Sequence, residues 1–385
     1  MMASQKYVRR GYPVLRLLFT VLICLTLWSI PESKAVGAGP ELSITAEPWP
    51  AANRHFERDP HWLGGDGASS VKLDNGRILW LFGDSFINPG SSRHRADATV
   101  IRNSVAIQRG ADPTRASLSF HWRRGTEKPE SFFKQEGDTW FWPGSGLRIQ
   151  DRLFIFLMKI VRSTNRLGFD VAGWTAVLID NPDSNPERWR HHRVTTPKDT
   201  FGVVIGSGSV FRQENFLYAV GADALHHDVY LVRWPIPSAM KGHLSDPQWW
   251  TGKKWRAQSL LDASPPPVFT GGAMEFSVHY EPRLRGYLQI QARTFIDQGL
   301  FFRRSARLTG PWSKPRSLYR PITDPQNILI YAGKAHPELK GADLACTYAL
   351  NSMDYKRLLA DRTIYYPRFL KVFIRREVTA QGSHP

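Results

Sequence analysis

The chain has 385 residues, a formal net charge of +17 at pH 7, and 42% hydrophobic and 12% aromatic residues. The charge favours anionic partners in general, but no helix-turn-helix, zinc-finger or RNA-binding signature accompanies it, so there is no specific nucleic-acid signal. Cys24 and Cys346 are the only cysteines, too few for a disulfide framework, so the fold must rest on core burial.

Residues 1–35 read as an export signal. Lys6, Arg9, Arg10 and Arg16 precede the apolar run 17–28, and Ser33-Lys34-Ala35 offers a small-residue cleavage site. The run is short for a membrane span of about 20 residues, with an uncleaved anchor as the alternative. Cleavage removes five basic residues and Glu32, leaving a charge of +13. The expected location is secreted or periplasmic, with no stable membrane span afterwards. Residues 36–385 are expected to form one domain and a monomer.

Two aspartates bracket the first hairpin, Asp66 in GGDGASSVKL and Asp84 in RILWLFGDSF. If Asp74-Asn75-Gly76 forms the loop, Leu73 pairs with Arg77 and Asp66 falls opposite Asp84. Facing Cβ atoms in such a pair stand roughly 4.5–5.5 Å apart, close enough for carboxylates to divide acid and base roles. A two-residue Asn-Gly loop would offset the pair by one residue. Asp-Gly and Gly-Asp are also ordinary strand-end turn signals.

The hairpin opens a loose repeat. SSVKLDNGRILWLFGD, GSGLRIQDRLFIFLMK, GSGSVFRQENFLYAVGAD and EFSVHYEPRLRGYLQIQAR each give a polar entry, a strand, a turn and an apolar strand. A third strand and a segment with Trp122, Trp189, Trp255 or Trp312 follow each of them. A less regular fifth copy holds NILIYAGKAHPEL and DLACTYALN. Second strands begin near Arg77, Arg152, Asn215 and Gly286, with the fifth copy near Asn327. Four strands per unit predict an all-β, five-bladed β-propeller. An irregular pair of β-sandwiches is the alternative.

Inner strands of a propeller surround a channel, so their polar residues are site candidates. Trp140 and Trp142 can stack on a sugar or pack the interior. Ser207 and Ser209 can bind or merely let strands approach. Glu275, Ser277 and His279 share one strand face by their period of two. Glu275 is a possible third carboxylate and His279 a channel residue, or both belong to a structural network. Lys334, His336 and Glu338 alternate likewise, to contact a ligand or one another. Neither His191-His192 nor His226-His227 has metal spacing. No nucleophile elbow or phosphate loop is present, and neither a cofactor nor a metal is expected.

GGDGASSVKLDNGRILWLFGDSF, RNSVAI and IYAGKAHPELKGADLACTYALNS together resemble domain-of-unknown-function family 4185, over approximately residues 45–375. The resemblance implies a five-bladed propeller akin to the endo-D-arabinanases of glycoside hydrolase family 183. It implies cleavage of furanosidic linkages in a polysaccharide or envelope glycan, with Asp66 as nucleophile or base and Asp84 as acid/base partner. It also implies retention of configuration, for which carboxyls typically lie about 5–5.5 Å apart. Trp140, Trp142, Glu275, His279, Lys334 and His336 would then bind the carbohydrate. A non-catalytic carbohydrate-binding or scaffold propeller at the cell surface is the competing expectation.

Overall fold

Apolar strands separated by Gly-, Asn- and Pro-rich turns dominate the chain, which folds as an all-β structure with few, short helices. The computed structural model describes residues 42–295, 297–321 and 327–376. The export signal expected over 1–35 lies outside them. No described helix is long and apolar enough to cross a membrane.

Five antiparallel sheets of four or more strands account for most of the described strand residues. The first runs through Ser69–Lys72, Arg77–Phe82, Ser104–Arg109 and Ser117–His121. The second holds Trp140–Ile149, Arg152–Arg162, Phe169–Ile179 and His191–Arg193. In the third, Val203–Val204 and Val210–Gln213 both pair with Phe216–Asp223. Val229–Pro235 and Gln248–Trp250 follow, and Trp255–Ala257 adds a strand at the edge. The fourth comprises Phe276–Glu281, Gly286–Arg293, Gly299–Ser305 and Arg316–Tyr319.

The fifth sheet departs from the repeat. Leu329–His336 is its inner strand, so the second strand is Leu344–Asn351, and the like-for-like spacing from Gly286 is 58 residues. Arg368–Arg376 comes third, and Leu42–Pro48 from the other end of the chain completes the sheet. Their register runs from Leu42↔Arg376 to Pro48↔Leu370. Ile44 drives this pairing by burying its side chain among Leu288, Tyr348, Leu370 and Val372.

Apolar clusters lie between successive sheets: first and second, second and third, third and fourth, fourth and fifth. A further cluster joins the fifth to the first, with Phe56 of the helix Pro50–Glu57 packed among Trp80, Phe82 and Phe369. Packing thus returns to its starting point.

The inner strands meet too closely for large side chains. A Cβ on Gly208 would sit 2.5 Å from the Phe276 ring. These strands also satisfy one another's backbone. Val210 N donates to Ser145 Oγ at 3.1 Å, Val278 N to Ser209 Oγ at 2.7 Å and Ala335 N to Ser277 Oγ at 2.8 Å. Ser69 hydroxyl donates to the Gly144 carbonyl, so four of the five junctions carry such a bond.

Replacing Ser209 with Ala strands a buried N–H and is expected to cost about 1–3 kcal/mol. Ile44→Ala should cost about 2–5 kcal/mol, both read from urea denaturation midpoints.

Candidate active site

The first hairpin adopts the three-residue register. Leu73 N donates to Arg77 O at 2.9 Å, and pairs run from Ser69↔Leu81 to Lys72↔Ile78. Asn75 and Gly76 both take left-handed backbone, φ 57° and 66°, as a tight hairpin demands. Gly65↔Ser85 keeps the same register beyond the hairpin, so Asp66 and Asp84 occupy facing positions. Between them the chain is drawn in: Gly83 N donates to Asp66 O at 3.0 Å. A Cβ on Gly83 would lie 2.5 Å from Asp66 Oδ1, so only glycine leaves room for that carboxyl.

Each carboxyl has its own partners. Asp84 Oδ2 accepts from Arg102 Nη1 at 2.8 Å, and Oδ1 from Trp142 Nε1 at 2.7 Å. Asp66 Oδ2 accepts from the hydroxyls of Tyr331 at 2.8 Å and Tyr365 at 3.2 Å. Glu275 Oε1 accepts from Lys334 Nζ at 2.7 Å. That ammonium also donates to Gly67 O and Ser69 Oγ, each at 2.9 Å, which uses all three of its protons.

The tyrosines are held by unusual backbone. Tyr365 has φ 61° and Ala332, beside Tyr331, φ 48°. Such conformations cost of order 1–3 kcal/mol and persist where surroundings enforce them. Gly65 N donates to Tyr365 O at 2.9 Å. Arg95, 2% exposed, donates to the carbonyls of Leu63, Leu358 and Ile364. It thereby ties the Tyr365 segment to the strand leading into Asp66.

Burial, then the charges of Asp84 and Glu275, push Asp66 up to about 8, against the pull of the two tyrosine bonds. Burial also raises Asp84, opposed by the Arg102 charge and the Trp142 hydrogen bond. Three carboxyls therefore share two cations. Arg102 serves Asp84 and Lys334 serves Glu275, so Asp66 is the group that keeps its proton at neutral pH. Asp84 and Glu275 side chains remain 17% and 20% exposed, which leaves the cluster reachable from solvent.

The other candidates are placed differently. Trp140 is 5% exposed, and Arg102 lies 4.6 Å from its ring centroid, so that face is covered. Trp142 holds Asp84 and packs edge-on to Phe169 at 4.7 Å. His336 is fully buried, bridging Ser70 Oγ at 2.5 Å and Thr347 Oγ1 at 2.7 Å. The face it shares with Lys334 packs against the first sheet. His279 follows Glu275 by four residues, about 13 Å along a strand, and lines a cavity at the far end. The sequence alone does not single out Arg102, Tyr331 or Tyr365. Arg102 and Tyr331 stand inside RNSVAI and IYAGKAHPEL, whereas nothing around Tyr365 marks it. Among the described residues no group of three or more His, Cys, Asp and Glu side chains could hold a metal.

Asp66 has a folded pKa above the unfolded value of about 3.9. Its favourable contribution is complete below that value and is lost as pH rises through about 8. Asp66→Asn stays neutral, so its melting temperature relative to wild type should climb between pH 5 and pH 9.

A "putative hydrolase" from Bacteroides ovatus matches this structure with TM-score 0.68 and 15% identity, over 86% of this chain and 90% of that one. That likeness shows a shared fold alone. Weaker matches are a Phanerochaete chrysosporium exo-β-1,3-galactanase (TM-score 0.46, 10% identity, 86% of this chain, 64% of that one) and a Bacillus halodurans xylan β-1,4-xylosidase (0.47, 12%, 85% and 59%). The chain spans less than two thirds of either. No curated protein matches it. The resemblance to family 4185, with its endo-D-arabinanases, is overturned by the family model that does match. Its motifs record hairpin glycines, Gly76 and Gly83, and a buried network around Lys334 and His336 that packing requires. The matching model spans residues 51–374, and the chain belongs to that family, Domain of unknown function (DUF5005).

Proposed function

We propose that this chain is an exported, monomeric glycoside hydrolase built as a five-bladed β-propeller, acting on a carbohydrate polymer at the Asp66–Asp84 cluster. The observation that carries the reading is the excess of carboxyls over cations, which leaves one proton on Asp66 beside Asp84, the carboxyl that is paired with Arg102. Asp66 protonates the departing glycosidic oxygen. Asp84, kept anionic by Arg102 and Trp142, attacks C1 or deprotonates the attacking water. Glu275, paired with Lys334, still raises Asp66 through its charge and offers its second oxygen to sugar hydroxyls. This division is the reverse of the one that the family 4185 resemblance implied. Furanosidic polymers, D-arabinan among them, are the finer proposal for substrate. The fold shared with the Bacteroides protein, whose name points to hydrolysis, supports the class of reaction.

Turnover is expected on at least one member of a panel of arabinan, xylan and β-1,3-galactan, read by product analysis. Asp66→Asn and Asp84→Asn should each lower kcat/KM by about 10²–10⁴, and wild-type turnover in a folded double variant overturns the proposal. Saccharide binding without turnover by the wild-type chain instead favours a non-catalytic binding propeller.

The kcat/KM profile should fall on its basic side near pH 8, where Asp66 loses its proton. Glu275→Gln removes a charge that raises Asp66, so this limb should move to lower pH. Tyr331→Phe removes a hydrogen bond to the ionised form, so the limb should move to higher pH.

A further inference from the structure

The far end of the inner strands, remote from Asp66 and Asp84, holds a cavity of about 800 Å³ lined by residues of all five sheets. Its volume is that of a small-molecule site. We propose that it is a second binding site, for a neutral saccharide, separate from the carboxylate cluster.

Unspent polar groups carry this assignment. His279 has a side chain only 10% exposed, with both ring nitrogens buried and without a hydrogen-bond partner. Its nearest ion-pair contact, Glu281 Oε2, stands 3.9 Å away. Glu338 Oε1 is likewise buried on the cavity wall without a hydrogen-bond partner, while Ser70 and the residue's own backbone N–H stand beside the carboxyl. Buried polar atoms left in this state are uncommon and call for a partner. Ser145, Ser209 and Ser277 line the same space. Each hydroxyl oxygen accepts from a neighbouring backbone N–H, which leaves its own proton to donate. The cavity therefore presents hydroxyl donors, an imidazole able to give and take a hydrogen bond, and a carboxyl oxygen.

The chemistry selects among ligands. An anion would need a buried, unpaired cation, but Arg148 is spent on Asp183, Asp74 and Gln150 O, and the other two cations of the lining, Lys72 and Arg212, are exposed to solvent. A metal would need more ligands than His279 and Glu338, and no group of three exists among the described residues. Burial holds His279 low, at about 4, so its imidazole is neutral, and burial pushes the Glu338 carboxyl up. Tyr280 stands at the rim with 53% exposure, its ring edge-on to Tyr287 at 5.5 Å. An aromatic face beside several neutral donors and acceptors matches the apolar faces and hydroxyls of a sugar.

The full chain carrying Asp66→Asn, which stops consumption of the ligand, is titrated with arabinotetraose, xylotetraose and β-1,3-galactotriose by calorimetry. At least one should bind. Adding Tyr280→Ala or His279→Ala should weaken that binding about ten-fold, roughly 1.4 kcal/mol, with near-ultraviolet circular dichroism unchanged. The same two substitutions in the wild-type chain should leave hydrolysis of a chromogenic monosaccharide glycoside unaltered. Failure of the hydrolytic reading removes that turnover but leaves the titrations intact, so the two proposals fail separately. Absence of binding, binding indifferent to both substitutions in folded protein, or binding of inorganic phosphate or Ca²⁺ that His279→Ala abolishes would each overturn the second site.

Discussion

Adjacent inner strands in this chain meet without forming a ladder, and the backbone groups left over must be satisfied another way. Serine hydroxyls provide it, with Val210, Val278 and Ala335 amides each donating to a serine one sheet back. An unpaired amide at these buried junctions would be costly, so the position tolerates little but a short hydroxyl side chain. Glycines beside the serines follow from the same crowding, as the Gly208–Phe276 approach illustrates. The pairing of Leu42–Pro48 with Arg368–Arg376 serves the arrangement from outside by completing the fifth sheet.

That packing sorts polar residues to two ends. Asp66, Trp142, Glu275 and Tyr331 enter their inner strands at one end and share a hydrogen-bonded cluster with Asp84, Arg102 and Tyr365. His279 and Glu338 leave theirs at the other and line a different cavity. Within the cluster, low dielectric makes the count of charges decisive. Each of two carboxylates has a cation in direct contact, and the third has only tyrosine hydroxyls, so the proton settles there. The distinct environments of two facing aspartates thus arise from sheets far apart in sequence.

The paired aspartates and the run KAHPEL resemble one family's motifs, yet the chain belongs to another. Much of each motif answers to local mechanics. Gly76 supplies left-handed backbone, Gly83 yields space to a carboxyl, and His336 joins Ser70 to Thr347 across two sheets. Residues demanded by a hairpin or a sheet junction recur wherever that geometry recurs.

By itself the sequence determined the all-β class and the order of most strands, and it narrowed the first hairpin to two registers, one of which sets Asp66 against Asp84. These are legible because strand alternation and turn chemistry act over a few residues. It did not disclose that Leu42–Pro48 joins the last sheet, that Trp140 lies beneath Arg102, or that Lys334 and His336 face inward. Tyr365 gave no signal at all. Those outcomes depend on which sheets become neighbours, and period-two alternation says which residues share a face without saying what covers it. Only the tertiary structure decided that three carboxyls would share two cations, because Asp66, Glu275, Lys334 and Tyr365 meet through packing across hundreds of residues.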